Sequence, residues 1–299
     1  AMDGARQKVT GSELVRTVSA DGGLSVRVIV ATELVAEAAR RHVTAPTASA
    51  ALGRALMGAV LIAASAKDEE TVQLQFRGDG PLGQLTVIAD NAGRVRGYVA
   101  DPSAHPPARG GKLDVGAAVG KGILAVVRYQ PSWREPYTGI VPIVSGEIAE
   151  DLSHYLAESE QTPSALAVGV FVASDHGVEA AGGYLVQALP GADESVLTQL
   201  ERTVHALPSP TELVRAGLSA DGIVDRLLEG IGSRARQRSR PEFYCACDVE
   251  RIRRAVSLLG RAETRAIAES RERLQVRCEF CATEYVLEPD EVGALLPDA

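Results

Sequence analysis

All four cysteines of this 299-residue chain fall in its last fifth, as two tight pairs, Cys245-Ala-Cys247 and Cys278-Glu-Phe-Cys281, after 244 residues without a thiol. No other feature restricts the fold as much. The opening residues, AMDGARQKVTGSE, contain no apolar stretch of the kind a secretory signal needs, and Ala1-Met2 reads as a cloning remnant. A reducing cytoplasm is therefore the expected setting. There, thiols gathered into close pairs build a metal site rather than a disulfide framework.

Four thiolates suit tetrahedral Zn²⁺ and leave no position for a catalytic water. None of the five histidines (His42, His105, His154, His176, His205) lies in this region, so a mixed Cys/His site is not expected. An iron–sulfur cluster takes the same ligand type but not these spacings. The expected ligands are Cys245, Cys247, Cys278 and Cys281 around one zinc ion per chain, with no catalytic residue and no other cofactor. Between the pairs, Asp248 can cap a helix in which Ile252, Ala255, Val256 and Leu259 recur at helical spacing before Gly260 closes it. A second short helix follows over Arg261–Glu269. Leu274 and Val276 then alternate as a strand into Cys278, and Tyr285, Val286 and Leu287 lead the chain back.

Size makes the metal matter. A tail of about 60 residues buries little, and modules of that size often need a staple. Phe243, Tyr244, Phe280 and Tyr285, a third of the 12 aromatic residues, stand beside the cysteines. A structural zinc contributes on the order of 10–16 kcal/mol of folding free energy, against about 5–15 kcal/mol of net stability for a whole protein. Loss of the metal should unfold this tail. Zinc thiolates are also the form that oxidants attack. A disulfide within Cys-x-Cys would be strained and readily reduced again. Such a site can act as a switch.

Upstream, strand and helix signals alternate. Leu24–Val30 is rich in β-branched residues and follows Gly22-Gly23. Thr32 is placed to cap a helix through His42, and Thr44 or Thr47 starts a longer one, with Pro46 near its first turn, reaching about Lys67. Its apolar run, Ala55 to Ala66, is too short to span a bilayer and is expected to be a buried helix. Strands are expected around Val72–Phe76, Leu85–Val87, Val95–Val99, Ile123–Tyr129, Leu166–Val172 and Val178–Val186, with a helix over 147–159. Short turns such as GDGPLG and Asn91-Ala92-Gly93 join them. This is the pattern of an α+β domain with an antiparallel sheet and segregated helices. After Gln187 only helical stripes remain: Val196, Leu197, Leu200, Val204, Leu207, then Leu213, Val214, Ile223, Val224, Leu227, Leu228. Alone these would be marginal helices with exposed apolar faces, so they need a surface to cover. The expected organisation is an α+β core over residues 1–187, an all-helical linker over 188–240 and a small zinc-binding C-terminal domain over 241–299.

Charge narrows the function. The net charge is −8, and residues 1–233 carry 19 basic against 27 acidic groups. Ser233–Arg240 (SRARQRSR) could serve a nucleic-acid arm, but 12 arginines against 12 acidic residues from Arg234 onward leave the tail balanced, and an exposed linker is the expected reading. GAAVGKG at Gly116–Gly122 is one residue short of a phosphate loop and has Gly122 where a Mg²⁺-binding hydroxyl belongs. Trp133 reads as a packing anchor, His154 as a surface or packed residue, and the GDGPLG glycines as turn formers.

Cys-x-Cys, a helical spacer and Cys-x-x-Cys followed by an aromatic (CACDVERIRRAVSLLG and VRCEFCATEY), with LQFRGDGPLG, Arg96-Gly97-Tyr98, YTGIVPIVSGEIAEDLSHYLAESEQTPSAL and AGGYLVQALPG, resemble the 33-kilodalton heat-shock chaperonin family over nearly the whole chain. Asp248 departs from the Ser that often follows the first pair, though both residues cap helices. The resemblance implies an ATP-independent holdase chaperone, inactive when reduced and zinc-bound. Oxidation would form Cys245–Cys247 and Cys278–Cys281 disulfides, release zinc, and unfold the tail and linker. The exposed apolar surface would then capture unfolding client proteins, with dimerisation in the active state. It implies no enzyme activity, no nucleic-acid partner and no membrane. Two other classes compete: a zinc-ribbon nucleic-acid-binding protein, and a dithiol–disulfide oxidoreductase built on Cys278 and Cys281, for which the βαβ context is lacking.

Overall fold

The computed structural model describes residues 11–295; Ala1-Met2 and most of the stretch read for a signal lie outside them. The chain divides into two compact units, Ala1–Phe243 and Tyr244–Ala299.

In the first unit, β1 (Glu13–Val18) and β2 (Leu24–Val30) form a hairpin followed by α1 (Thr32–His42) and α2 (Pro46–Ala63). A meander of β3 (Thr71–Gly78), β4 (Gln84–Asp90) and β5 (Arg94–Val99) comes next, then α3 (Val115–Val119) and the hairpin of β6 (Gly122–Tyr129) with β7 (Tyr137–Pro142). The chain continues through α4 (Ala149–Glu158), β8 (Ser164–Val172) and β9 (Val178–Ala188). After these stand α5 (Glu194–Ala206), α6 (Pro210–Arg215), α7 (Ala220–Leu227), β10 (Gln237–Ser239) and β11 (Glu242–Phe243). Five strands order as β10-β1-β2-β9-β8 and six as β11-β5-β4-β3-β6-β7. Every pairing is antiparallel except β11 on β5. This is the expected α+β class.

The core is built round α2. It packs against strands of both sheets, and every residue of it except Arg54 is buried. Among the described residues it is the helix long and apolar enough to cross a membrane, and 94% of its window is buried inside the protein. The buried-helix reading holds, with the end at Ala63. Thr32 does not cap α1: its hydroxyl accepts from the Ala181 N–H at 3.1 Å, and Ser12 Oγ accepts the Leu34 N–H at 3.2 Å instead. That substitution across the fold is invisible to a local rule.

The outer face of the five-stranded sheet carries a second core. Val15, Leu24, Val26, Val28, Val30, Tyr184 and Val186 are covered by Leu200, Leu213, Ile223, Val224 and Leu227 from α5, α6 and α7. The stripes that needed a surface lie on this one. Ser233–Arg240, read as an exposed linker, is largely exposed but includes a short strand. β10 pairs with β1, while Arg236 and Arg238 bind Asp221 on α7, and Arg236 also reaches Asp225. Arg236 and Arg238 are held in place by acidic partners, while Arg234 donates to Ala20 O at 3.3 Å. The stretch from 188 to 240 is therefore not purely helical.

The two glycine motifs explain one another. Gly80 N–H bonds Val119 O at 3.0 Å and Asp79 Oδ1 accepts the Lys121 N–H at 2.7 Å. A Cβ on Gly78 would stand 1.9 Å from Val119 O, and one on Gly120 2.4 Å from Gly80 N. Close contact of two backbones, rather than a turn alone, requires glycine there. Trp133 is half-buried at a turn, and His154 is half-buried on α4.

Candidate metal centre

The second unit holds α8 (Val249–Ser257), α9 (Arg261–Glu269), the hairpin of β12 (Leu274–Arg277) with β13 (Glu284–Leu287), and α10 (Pro289–Gly293). Its buried apolar core is Ile252, Val256, Leu287 and Val292. Of the helical stripe read from sequence, Ala255 and Leu259 are exposed, and α8 ends at Ser257 before Leu259 can turn inward. Phe243 does not serve this core either. It packs against the first unit's core, with the Arg41 guanidinium 5.2 Å from its ring centroid.

Each cysteine pair sits at the edge of an ordered element. Asp248 accepts the Arg251 N–H at 2.7 Å, which fixes the start of α8 just after Cys245 and Cys247. The other pair forms the β12–β13 turn. Cys278 N–H bonds Thr283 O at 2.9 Å, Ala282 N–H bonds Cys278 O at 2.8 Å, and Ala282 takes a left-handed φ of 59°. These two local structures bring all four Sγ atoms within 4.8 Å of one another. Cys245 and Cys278 sulfurs are 3.9 Å apart, and those of Cys247 and Cys281 3.2 Å.

The donor set fits a tetrahedral thiophilic ion. Four sulfurs at about 2.3 Å from a common centre stand roughly 3.8 Å apart, and the observed separations bracket that value. The electrostatics point the same way. Burial pushes the Cys245 thiol up to about 12, with the charges of Cys278 and Cys281 adding to it. Burial also raises Cys278. Cys281 is the exception: burial acts upward, but the Thr283 hydroxyl and N–H, with hydrogen bonds from Cys247 and Cys278, bring it down to about 7. Collecting thiolates in one place costs free energy that a divalent cation between them offsets.

Two partners were not legible in the sequence. Tyr285 donates its hydroxyl to Cys247 Sγ at 3.1 Å, an interaction that raises the tyrosine pKa, and Thr283 lies 3.2 Å from Cys281 Sγ. Both depend on the hairpin register. A polar residue two to four positions beyond Cys-x-x-Cys is the only local signal.

Residues 12–288 match the family model described as Hsp33 protein. The chain belongs to the Hsp33 family. It is 40% identical to the 33 kDa chaperonin of Geobacter sulfurreducens over 294 residues, 98% of each chain. With that of Symbiobacterium thermophilum the identity is 44% over 281 residues, 93% of this chain and 95% of the relative. The crystal structure of an Hsp33 homologue from Thermotoga maritima is similar with a TM-score of 0.89 at 33% identity, covering 95% of this chain and 97% of that one. Membership makes the chain a chaperone, whose partners are unfolded client proteins. The Hsp33 relatives carry the name of chaperonins, a non-enzymatic class, so the oxidoreductase reading falls away.

Proposed function

We propose that the protein is a redox-regulated, ATP-independent holdase of the cytoplasm, with Cys245, Cys247, Cys278 and Cys281 holding one Zn²⁺ in the reduced, inactive state. Four mutually close sulfurs in a unit whose buried apolar cluster, among the described residues, is Ile252, Val256, Leu287 and Val292 carry this reading. When bound, zinc supplies charge compensation and cross-linking of two chain segments, with no catalytic position. The chain's own residues do the rest. The N–H groups and hydroxyls around Cys247, Cys278 and Cys281 orient the sulfurs, and Asp248 holds the helix start beside them.

Oxidation removes two electrons from each of two thiolate pairs, forming Cys245–Cys247 and Cys278–Cys281. A peroxide takes up two electrons and two protons per bond and leaves as water. The paired sulfurs can no longer serve as thiolate ligands, and the small apolar core cannot hold the unit folded alone. In the three-part organisation we propose, residues 188–240 act as the cover of the first domain. Their release uncovers Val26, Val28, Tyr184 and Val186, a contiguous apolar surface suited to unfolded chains. Two such opened chains then dimerise.

One preparation decides the matter. Zinc content, free thiols and suppression of client aggregation are measured together, before and after peroxide at elevated temperature. The expected outcome is one zinc and four thiols lost as holdase activity rises. Activity indifferent to complete oxidation and metal release would reject the switch.

A further inference from the structure

A cavity of about 300 Å³ lies on the inner side of the β1–β2 hairpin, against the C-terminal end of α2. It is lined by Arg16, Arg27, Ser25, Ser65, Arg234 and Gln237, among others, and no carboxylate is part of its wall. Arg16 and Arg27 are direct cross-strand partners, and Gln237 on β10 continues the row beyond Arg16. Like charges placed opposite one another in an antiparallel pair are destabilising unless something lies between them.

The protein satisfies these cations only in part. Arg16 gives one N–H to Ala64 O at 2.7 Å, and Arg27 gives one to Leu61 O at 3.2 Å and one to Ser25 Oγ at 3.3 Å. Two carbonyls from the end of α2 thus take one donor each, and a guanidinium has five. Arg16 Nε is buried with no hydrogen-bond partner. Arg27 is 6% exposed, an unusual burial for an arginine. Burial lowers its pKa to about 10; Glu160 opposes this, and Arg128 and Arg16 add to it. Glu160 is already committed to Arg128 and to the Tyr155 hydroxyl.

We propose that this cavity binds a tetrahedral oxyanion of the phosphate class, held between the guanidinium groups of Arg16 and Arg27 with the Ser25 hydroxyl as a further donor. Forked guanidinium donors match phosphate oxygens two at a time, and an anion here relieves the like-charge contact. The volume stands at the small end of ligand sites, which suits a free phosphate or one phosphate of a longer chain. Arg234, Ala235 and Gln237 form part of the wall, so an occupant also ties the approach to β10 onto the hairpin.

The test uses the full-length, reduced, zinc-bound chain. Orthophosphate, tripolyphosphate and acetate are titrated separately at constant ionic strength, followed by calorimetry, ³¹P line width and the melting of the first unit. Saturable binding of orthophosphate, little response to acetate, and affinity reduced by about tenfold or more in Arg16→Gln are expected, since a charge-assisted hydrogen bond is lost. Arg16→Lys should retain part of the binding. Ser25→Ala, which leaves the arginine row intact, should weaken it a few-fold and decides the question if Arg16→Gln does not fold. Tighter binding of tripolyphosphate would make a phosphate chain the source; tighter orthophosphate, the free ion. Unsaturable binding, equal binding of acetate, or unaltered affinity in both Arg16→Gln and Ser25→Ala overturns the site.

Discussion

The two units of this chain are stabilised in different ways. The first surrounds α2 with two sheets and adds a second apolar layer beneath α5, α6 and α7. Among its described residues the second has an apolar cluster of four buried side chains, and four sulfurs within 4.8 Å of one another. A core made of many small contacts loses stability by increments, because each side chain contributes only a few kcal/mol. A fold that depends on one coordination site can be lost in a single chemical step. The difference teaches where a redox signal can act without damaging the scaffold that must survive it.

Under the proposed function, the strongest way to break that contrast is to remove the metal. Chelation, or Cys281→Ser, should remove on the order of 10 kcal/mol of support and abolish hydrogen-exchange protection from α8 to α10. The first unit should keep its cooperative melt. Protection persisting in the metal-free second unit would erase the distinction.

Leu56→Ala, fully buried in α2, approaches the contrast from the other side. It should cost the first unit about 2–5 kcal/mol in denaturant titrations, with zinc content unchanged. Leu227→Ala loosens α7 from the sheet it covers and should cost about 2 kcal/mol, the low end for such truncations. Under the proposed function, this variant should suppress client aggregation while still reduced and zinc-bound.

Smaller effects sharpen the picture. Asp248→Ala removes the cap beside the first cysteine pair and should cost about 1 kcal/mol, read as zinc release at lower chelator concentration. Asp221 provides the smallest effect. Its hydrogen bond from Arg238, followed by that from Arg236, lowers its pKa in the folded chain. The stability it contributes is therefore present above the unfolded carboxylate value of about 4 and is lost as pH falls through the lower folded value. The pairs are partly exposed, so the loss should be under about 1 kcal/mol. Exchange at β10 should rise in acid, and Asp221→Asn should remove that pH dependence.

Much of this architecture is legible in the sequence where one residue type carries one meaning. α2 announces itself by unbroken small and apolar residues, and the cysteine pairs by thiols found nowhere else. β1 is hidden in the sequence because it lies between two layers: Leu14 faces one core and Val15 the other, while Arg16 turns inward and masks the alternation. β10 consists of Gln237, Arg238 and Ser239, and only its register with β1 and its acidic partners make it a strand. At the candidate metal centre the four thiols are readable. The hydroxyls of Thr283 and Tyr285 are not, because a contact to sulfur is set by which residues face each other across the hairpin.

β10 has one further consequence. It occupies the outermost place in its sheet with only three residues, opposite Leu14, Val15 and Arg16. Were it to detach, those residues would present a bare row of amide and carbonyl groups, which any extended polypeptide can zip onto regardless of its side chains. Under the proposed function, the same departure that uncovers grease would thus open a backbone template, letting the chaperone grip segments too polar for an oily surface to hold.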